Sequence, residues 1–545
     1  MEKITGRLSA LLLFLLVACG RKELIPPQPE PQLKKITVQQ TPVTLNSGES
    51  AQIHFTVEDA FYAFSLSVGA PGSQLRLITA SVSTPAEVQL QSVTADTVPG
   101  RYTAVIADTG TEKEYDLSLR LALFFPGTDS FIASGSFTVK SAPPAPAWLE
   151  TGLPVVYVDT EGGREVQSVT EYLPAVLRIQ GEDNPLGETA CSIRGRGNST
   201  WTWPKKPYLI KLDSKESLLG MPRHKRWILL ANFMDRTMMR NLVAMKVASM
   251  THLDWTPRCE SVELVMNGKH VGNYLLIEQI RVDKDRVPVT EMTPEDNEGE
   301  AVTGGYLLEL DFHYDNEVQW EDPHGQGNEP GFEKSIPFGV KYPDPEDLTG
   351  AQLSYIRQYI YDTAEALYGT DFQDPQKGYA AYLDVDSFID YWIVFEVMVN
   401  HELGNPGSVF FHKDRGGLLK AGPCWDFDWR VLSYSWSPQA QTGLVNRQAI
   451  WYQRLFEDPA FSEKVKARFQ ELLPALQTIP AYIEENRERL RPSSVLNFKM
   501  WNPADDAAIY DGRIINGDEN LTFDYAVTRL KSIYENRLKV IQENL

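Results

Sequence analysis

A proline-rich break, Ser141-Ala142-Pro143-Pro144-Ala145-Pro146, constrains this chain more than any other feature. Its three prolines remove backbone donors and fix φ, so no helix or central strand runs through it and the chain must fold on either side of it. The 545 residues leave room for more than one domain, at roughly 100–200 residues each. Before the break, residues 34–140 read as short runs rich in Val, Thr, Ile and Phe: ITVQQTPVTL, AQIHFTVE, AFSLSVG, LRLITASVS, EVQLQSV, GRYTAVIAD, EYDLSLRLALFF and FIASGSFTV. Gly, Asn, Pro or Asp punctuate them every 8–12 residues or so, which predicts an antiparallel β-sandwich of immunoglobulin-like type. Residues 141–149 are then a linker, and 150–545 a second domain.

The first eighteen residues read as a targeting segment. Lys3 and Arg7 precede an apolar run from Leu8 to Val17, too short to cross about 30 Å of hydrocarbon. Leu16-Val17-Ala18-Cys19-Gly20 resembles a bacterial lipobox, with Cys19 as the lipidated residue; an ordinary signal peptide with a chance cysteine is the alternative. A lipidated Cys19 would anchor the chain to a membrane. The location implied is the bacterial cell envelope, and Gly20, where aspartate would favour inner-membrane retention, points to the outer membrane. Residues 19–33, charged and proline-rich, read as a tether. The remaining cysteines, Cys191, Cys259 and Cys424, are too isolated for a disulfide framework or a zinc site and read as buried thiols.

The net charge is −21. Such a chain lacks the cationic excess that releases counterions from nucleic acid, so nucleic acid is excluded as a general partner. Beyond the linker the pattern mixes strands (154–158, 175–179, 208–212, 227–231, 261–265, 272–279, 305–310) with later helices (235–250, 347–369, 384–399, 458–475, 479–491, 522–543). A strand-rich half before a helix-rich half predicts an α+β domain with a cleft.

Two segments carry candidate chemistry. Ile193-Arg194-Gly195-Arg196-Gly197-Asn198-Ser199-Thr200-Trp201 is followed by Pro204-Lys205-Lys206-Pro207-Tyr208-Leu209-Ile210-Lys211-Leu212-Asp213. Its glycines let backbone approach a ligand, and its cations form a local anion site in an acidic chain. The same composition equally fits a glycine turn with surface arginines. A period of two places Tyr208, Ile210 and Leu212 on one face and Lys211 on the other, either as a solvated edge charge or as a phosphate ligand. The second segment, Gly422-Pro423-Cys424-Trp425-Asp426-Phe427-Asp428-Trp429, sets two acids at i and i+2 among aromatics. Hard oxygens so placed suit magnesium completed by water and phosphates; a turn cap at Asp426 and a solvated Asp428 are the bland alternative. No zincin helix and no Gly-x-Ser-x-Gly elbow is present.

IRGRGNSTWTWPKKPYLIKLD, LLGMPRHKRWILLANFMDRTMMRN, VELVMNGKHVGNYLLIEQIRVDKDRV, GGYLLELD and GPCWDFDW, in this order, resemble the CotH kinase family of secreted or surface atypical protein kinases. The resemblance implies a divergent kinase-like fold: a sheet-rich lobe and a helical lobe, with ATP and Mg²⁺ or Mn²⁺ between them. It implies that Arg194, Gly195, Arg196, Gly197, Asn198 and Ser199 lie near the phosphates, that Lys211 is the nucleotide lysine oriented by Glu278, and that Asp426 is a metal ligand assisted by Asp428. Asp235 or Arg240 would also reach the site. In Val399-Asn400-His401-Glu402-Leu403-Gly404-Asn405-Pro406-Gly407-Ser408 the family's aspartate is missing, so Glu402 becomes the candidate base and Asn405 a candidate metal or phosphate ligand. The implied activity is γ-phosphoryl transfer from ATP to a hydroxyl of a secreted or surface protein. A nucleotide-binding pseudokinase, or an adhesion or glycan-binding lipoprotein, is the alternative.

Overall fold

The structure, a computed structural model, describes residues 151–545 except 182–183, 313–317, 323, 325–335 and 503–515, together with the backbone of eight strands between Lys34 and Ala142. The chain divides into two compact units, residues 1–147 and 148–545. The expected targeting segment, Cys19 and the tether lie outside the described residues.

In the first unit the strands are β1 (Lys34–Val38), β2 (Val43–Asn46), β3 (Ser50–Val57), β4 (Gln74–Ser81), β5 (Val88–Ala95), β6 (Arg101–Asp108), β7 (Glu114–Phe124) and β8 (Phe131–Ala142). They pair in the order β4-β7-β8-β1-β3-β6-β5, with β2 beside β8. Strand β1 joins two sets of strands: Lys34 and Lys35 pair parallel with β8, whereas Ile36 to Val38 pair antiparallel with β3. The run expected as a single strand over ITVQQTPVTL is two strands, and AFSLSVG lies outside the described residues. Strand β8 takes in Ser141 and Ala142, the first two residues of the expected linker, and the rest of that linker lies outside the described residues.

The second unit mixes β and α structure. Strands β9 (Val155–Thr160), β10 (Leu173–Gln180), β11 (Leu186–Gly195), β12 (Tyr208–Glu216), β13 (His224–Leu230), β14 (Cys259–Met266) and β15 (Lys269–Glu278) close a barrel in the order β10-β11-β12-β13-β15-β14-β9. The closing contact of β9 with β14 is parallel; the other pairs are antiparallel. Alternation fills the interior with Val156, Leu177, Ile193, Tyr208, Ile210, Leu212, Trp227, Leu264 and Leu276. Outward residues of the same strands, among them Leu209, Ile228, Leu275 and Ile277, join a separate core shared with the rest of the unit.

That core also contains a five-stranded sheet, β16 (Tyr306–Leu310), β17 (Gln319–Asp322), β18 (Ile336–Tyr342), β19 (Val409–Lys413) and β20 (Leu419–Ala421), in the order β17-β18-β16-β19-β20. Helices α1 (Ser199–Thr202), α2 (Arg240–Ala248), α3 (Gly350–Tyr368), α4 (Val385–Met398), α5 (Tyr452–Leu455), α6 (Pro459–Leu476), α7 (Ile479–Met500) and α8 (Phe523–Asn544) complete the unit. Helix α4 is buried along nearly its whole length, as a helix apolar on all sides must be, and Asp384 caps it by accepting from the Ser387 amide at 2.9 Å. Its buried Glu396 is matched by Arg537 of α8, and its carboxylate also accepts the Val445 and Asn446 amides at 2.7 and 2.8 Å. Helix α7, expected to stop before Pro492, runs on to Met500. Buried Asn497, beyond the proline, accepts from Lys205 Nζ at 2.9 Å and the Asn273 amide at 3.2 Å, so tertiary contacts to the barrel override the local break. Among the described residues no helix is long and apolar enough to cross a membrane.

Buried His224 accepts the Arg226 amide at Nδ1 (2.9 Å). Burial, helped by Arg286, lowers its pKa from 6.5 to about 4. Between those values the unfolded chain binds a proton that the folded chain does not, so stability falls as pH drops from about 6.5 to 4, by up to about 1.4 kcal/mol per unit. His401, half-buried and also lowered to about 4, adds a share of the same sign. Denaturant midpoints at pH 7 and pH 5 are therefore expected to lie closer together in His224→Gln than in the parent; an unchanged gap would contradict a neutral buried His224.

Candidate active site

The site forms where the end of β11, the loop after α4 and the loop after β20 meet. The loop after β20 is held by side-chain amides gripping its backbone. Asn400 Nδ2 donates to the Asp426 carbonyl (3.1 Å), Asn241 Oδ1 of α2 accepts from the Phe427 amide (2.8 Å), and Asn516 Nδ2 donates to the Asp428 carbonyl (3.0 Å). Arg240 Nε binds the Val431 carbonyl at 2.8 Å, while its other nitrogens pair with buried Asp235 and Asp518. Asp426 itself has a left-handed backbone, φ 63°, a conformation that aspartate tolerates better than most residues. Trp425 and Phe427 on either side are buried, and the Phe427 ring packs on Phe395 with centroids 4.9 Å apart.

The loop after α4 starts at Val399, also left-handed at φ 55°. Such a backbone is costly for a β-branched residue and persists only where the surroundings impose it. Asn400 then makes the decisive link: its Oδ1 accepts the Glu402 amide at 2.9 Å while its Nδ2 holds Asp426. The Phe312 amide binds the Pro406 carbonyl (2.9 Å), which brings Asp311, just past β16, beside the same loop.

The acids brought together repel each other. Burial pushes the Glu402 carboxyl well above the usual carboxylate range, and the charges of Asp426, Asp311 and Asp428 add to this while Arg430 opposes it. Burial likewise raises Asp428, which shares a hydrogen bond with Asp426, against the pull of Arg196. Arg196 is lowered by burial and held charged chiefly by Asp426 and Asp428, and its guanidinium lies 5.6 Å from the Trp425 ring.

The remaining candidates divide. Arg194 is tied back to the Val169 and Gly195 carbonyls (3.1 Å to the latter) and faces Tyr172, so it secures the barrel rim. A Cβ at Gly195 would collide with the Trp201 ring, and Gly197 sits at φ 87°, so both glycines are required by the fold of the loop itself. Asn198 and Ser199 flank the start of the single-turn helix α1 and are exposed. The expected Lys211–Glu278 pair is not formed. Lys211 is in register with Arg226 on the outer face of the barrel, whereas Glu278 is in register with Trp227, which points inward. Residues directly opposite on neighbouring strands share a face, so the two side chains lie on opposite faces of the barrel wall. Lys211 is exposed, and Glu278 binds the Arg258 amide and Nε, both at 2.9 Å. Asp235 and Arg240 pair with each other, although the Asp235 charge is also felt by Asp428. Asp311, Asn400 and Arg430 belong to the site without having been singled out in the sequence, although Asp311 ends the GGYLLELD motif.

Among the described residues, no three His, Cys, Asp or Glu side chains stand as a ready metal cage. The acids that do converge are the carboxyl pair Asp426–Asp428; the loop after α4 carries the Oδ1 of Asn405. The latter is buried without a hydrogen-bond partner among the described residues, as is Glu402 Oε2.

The CotH kinase protein family model matches residues 193–541, from β11 to α8 and more than half of the chain. The chain belongs to the CotH kinase family. No curated protein matches it. Among solved structures, protocadherin gamma B7 extracellular cadherin domains 1–4 align at 9% identity over 58% of this chain and 69% of that one, with a TM-score of 0.14, too loose a likeness to bear on fold or function.

Truncating Asn400 leaves the Asp426 carbonyl and the Glu402 amide unpartnered, at about 1–3 kcal/mol for each buried group so exposed. Asn400→Ala is expected to unfold several degrees below the parent in a thermal melt; an unchanged melting temperature would remove Asn400 from the link between the two loops.

Proposed function

We propose that this CotH kinase family member is a lipid-anchored phosphotransferase of the bacterial cell envelope that moves the γ-phosphoryl group of ATP to a hydroxyl of a secreted or surface protein. The observation that carries the reading is the convergence of Arg196, Glu402, Asp426 and Asp428 from three separated motifs, within the span matched by the family model. On this reading the barrel and the helix-rich remainder act as the two lobes of a kinase-like fold. The preceding all-β unit, an immunoglobulin-like sandwich, spaces that domain from the membrane anchored through Cys19.

Asp426 and Asp428, with Asn405 of the loop after α4 as a further candidate, would hold Mg²⁺ or Mn²⁺, which when bound would neutralise carboxylates and polyphosphate together. Arg196, rather than Lys211, is the cation placed to steady the phosphates. Burial and the neighbouring acids raise the Glu402 carboxyl, and its ionised form is the one that can accept a proton from the substrate hydroxyl. The substrate oxygen then bonds to the γ-phosphorus, the bond from phosphorus to the β,γ-bridging oxygen breaks, ADP leaves, and the hydroxyl proton rests on Glu402 Oε2.

The full chain with ATP and Mn²⁺ at about 100 times Kd is expected to gain about 2.7 kcal/mol, a melting-point rise of a few degrees. Asp426→Ala should lose that rise. Glu402→Gln should keep it and lose about 100-fold or more in ADP release, the usual scale of a general base. No rise in the parent would overturn the proposal; a rise without ADP release would identify a pseudokinase.

A further inference from the structure

The segment Asn516-Gly517-Asp518-Glu519, just ahead of α8, lies outside the five family-like motifs. Its three side chains are nevertheless buried, Asn516 and Asp518 at 1% exposure and Glu519 at 3%. Burying polar side chains is costly unless each finds a partner, so the partners show what the segment holds.

The segment is first fixed to itself. Glu519 accepts the Asn516 amide at Oε1 (2.6 Å) and the Gly517 amide at Oε2 (2.9 Å), so both carboxylate oxygens secure the backbone that carries Asn516. Gly517 is left-handed, φ 79°, and a Cβ there would meet Ser435 Oγ at 2.2 Å, so the turn lies hard against the loop after β20. Arg529 of α8 clasps the two, donating to the Gly517 carbonyl and to Ser435 Oγ (2.9 Å for the latter).

From this base the segment reaches two loops. Asn516 Nδ2 has two hydrogens and uses both, one on the Asp428 carbonyl (3.0 Å) and one on the Met234 carbonyl ahead of α2 (3.1 Å). Asp518 pairs with Arg240, whose Nε holds the Val431 carbonyl at 2.8 Å, and the Glu519 carbonyl accepts from Arg236 Nε at 3.0 Å. With Asn400 on the Asp426 carbonyl and Asn241 on the Phe427 amide, three successive residues are each gripped by an amide from a different part of the chain. Two acids at i and i+2 can act on one ion only while the backbone between them is held, and Asn516 holds the Asp428 end.

We infer that Asn516 is a positioning residue that keeps the Asp426–Asp428 carboxyl pair in register for a divalent cation, and that Glu519 locks Asn516 in place for that task. The assignment rests on the phosphotransfer reading above, and metal binding tests it without turnover.

Mn²⁺ alone is titrated into the full chain, the free ion is read by electron paramagnetic resonance, and each protein is also melted. Removing a group that holds a metal ligand in place costs about 10- to 100-fold in affinity, and Asn516→Ala is expected to bind Mn²⁺ weaker than the parent on that scale. Glu519→Gln, which leaves one acceptor oxygen for the two amides, loses less in the same direction and decides the matter if the alanine variant does not fold. Asn516→Asp separates position from charge: an added carboxylate acting by attraction alone would tighten Mn²⁺, whereas loss of the donors to Asp428 and Met234 weakens it. Variants that melt lower yet bind Mn²⁺ as the parent does, or a tighter Asn516→Asp, overturn the assignment and leave the phosphotransfer reading standing. A parent that binds no Mn²⁺ overturns it together with the metal site of that reading.

Discussion

The arrangement of the site depends on one side-chain amide. Asn400 accepts from the backbone of Glu402 and donates to the backbone of Asp426, joining two loops that share no strand pairing at that point. That bridge works beside the Leu432–Met398 backbone hydrogen bond and the Phe395–Phe427 ring contact to hold together two acid-bearing loops that repel each other. The pattern recurs around it, with Asn241 on Phe427 and Asn516 on Asp428. Neutral amides suit such a bridge because they satisfy buried carbonyl and N–H groups without adding charge to a place already overloaded with it.

A buried electrostatic frame surrounds these amides. Arg240 lies between Asp235 and Asp518 and reaches the Val431 carbonyl, and Arg537 pairs with Glu396 near the end of α4. Buried pairs of this kind add little net stability, because desolvation offsets their attraction, but each is costly to break from one side. They fix where α2, α4, α8 and the acid-bearing loops stand relative to one another. The strained backbones at Val399, Asp426 and Arg430 sit inside this frame, where the surroundings can impose them.

How much of this was legible in the sequence follows from how local each signal is. Helices α3, α4, α6 and α8 lie within a few residues of their expected limits because their apolar spacing and caps are local. The inward face of β12, Tyr208, Ile210 and Leu212, follows from a period of two. Closure of the barrel does not, since it depends on β9 pairing with β14 about a hundred residues later. Strand β11 was hidden because LGETACSIRG is short of β-formers. In the site, Asp426 and Asp428 stood out because acids between large aromatics are unusual, and Glu402 because it occupies the place of an expected aspartate. The Lys211–Glu278 pairing failed because family spacing alone did not say which face of a sheet each side chain would take. Asn400 and Arg430 carry no signal of their own, because an amide gripping backbone has no motif and an arginine stacked on tryptophan is defined only by the fold.

The three cysteines of the second unit are free, Cys191 and Cys424 buried within the two main cores. Burial pushes the Cys191 thiol up to about 12 and Cys424 well above its ordinary value. The thiolate is the species that exchanges and oxidises, so burial slows both reactions at these two sulfurs. Among the described residues the fold is closed by packing alone, with no covalent cross-link for a change of redox poise to break.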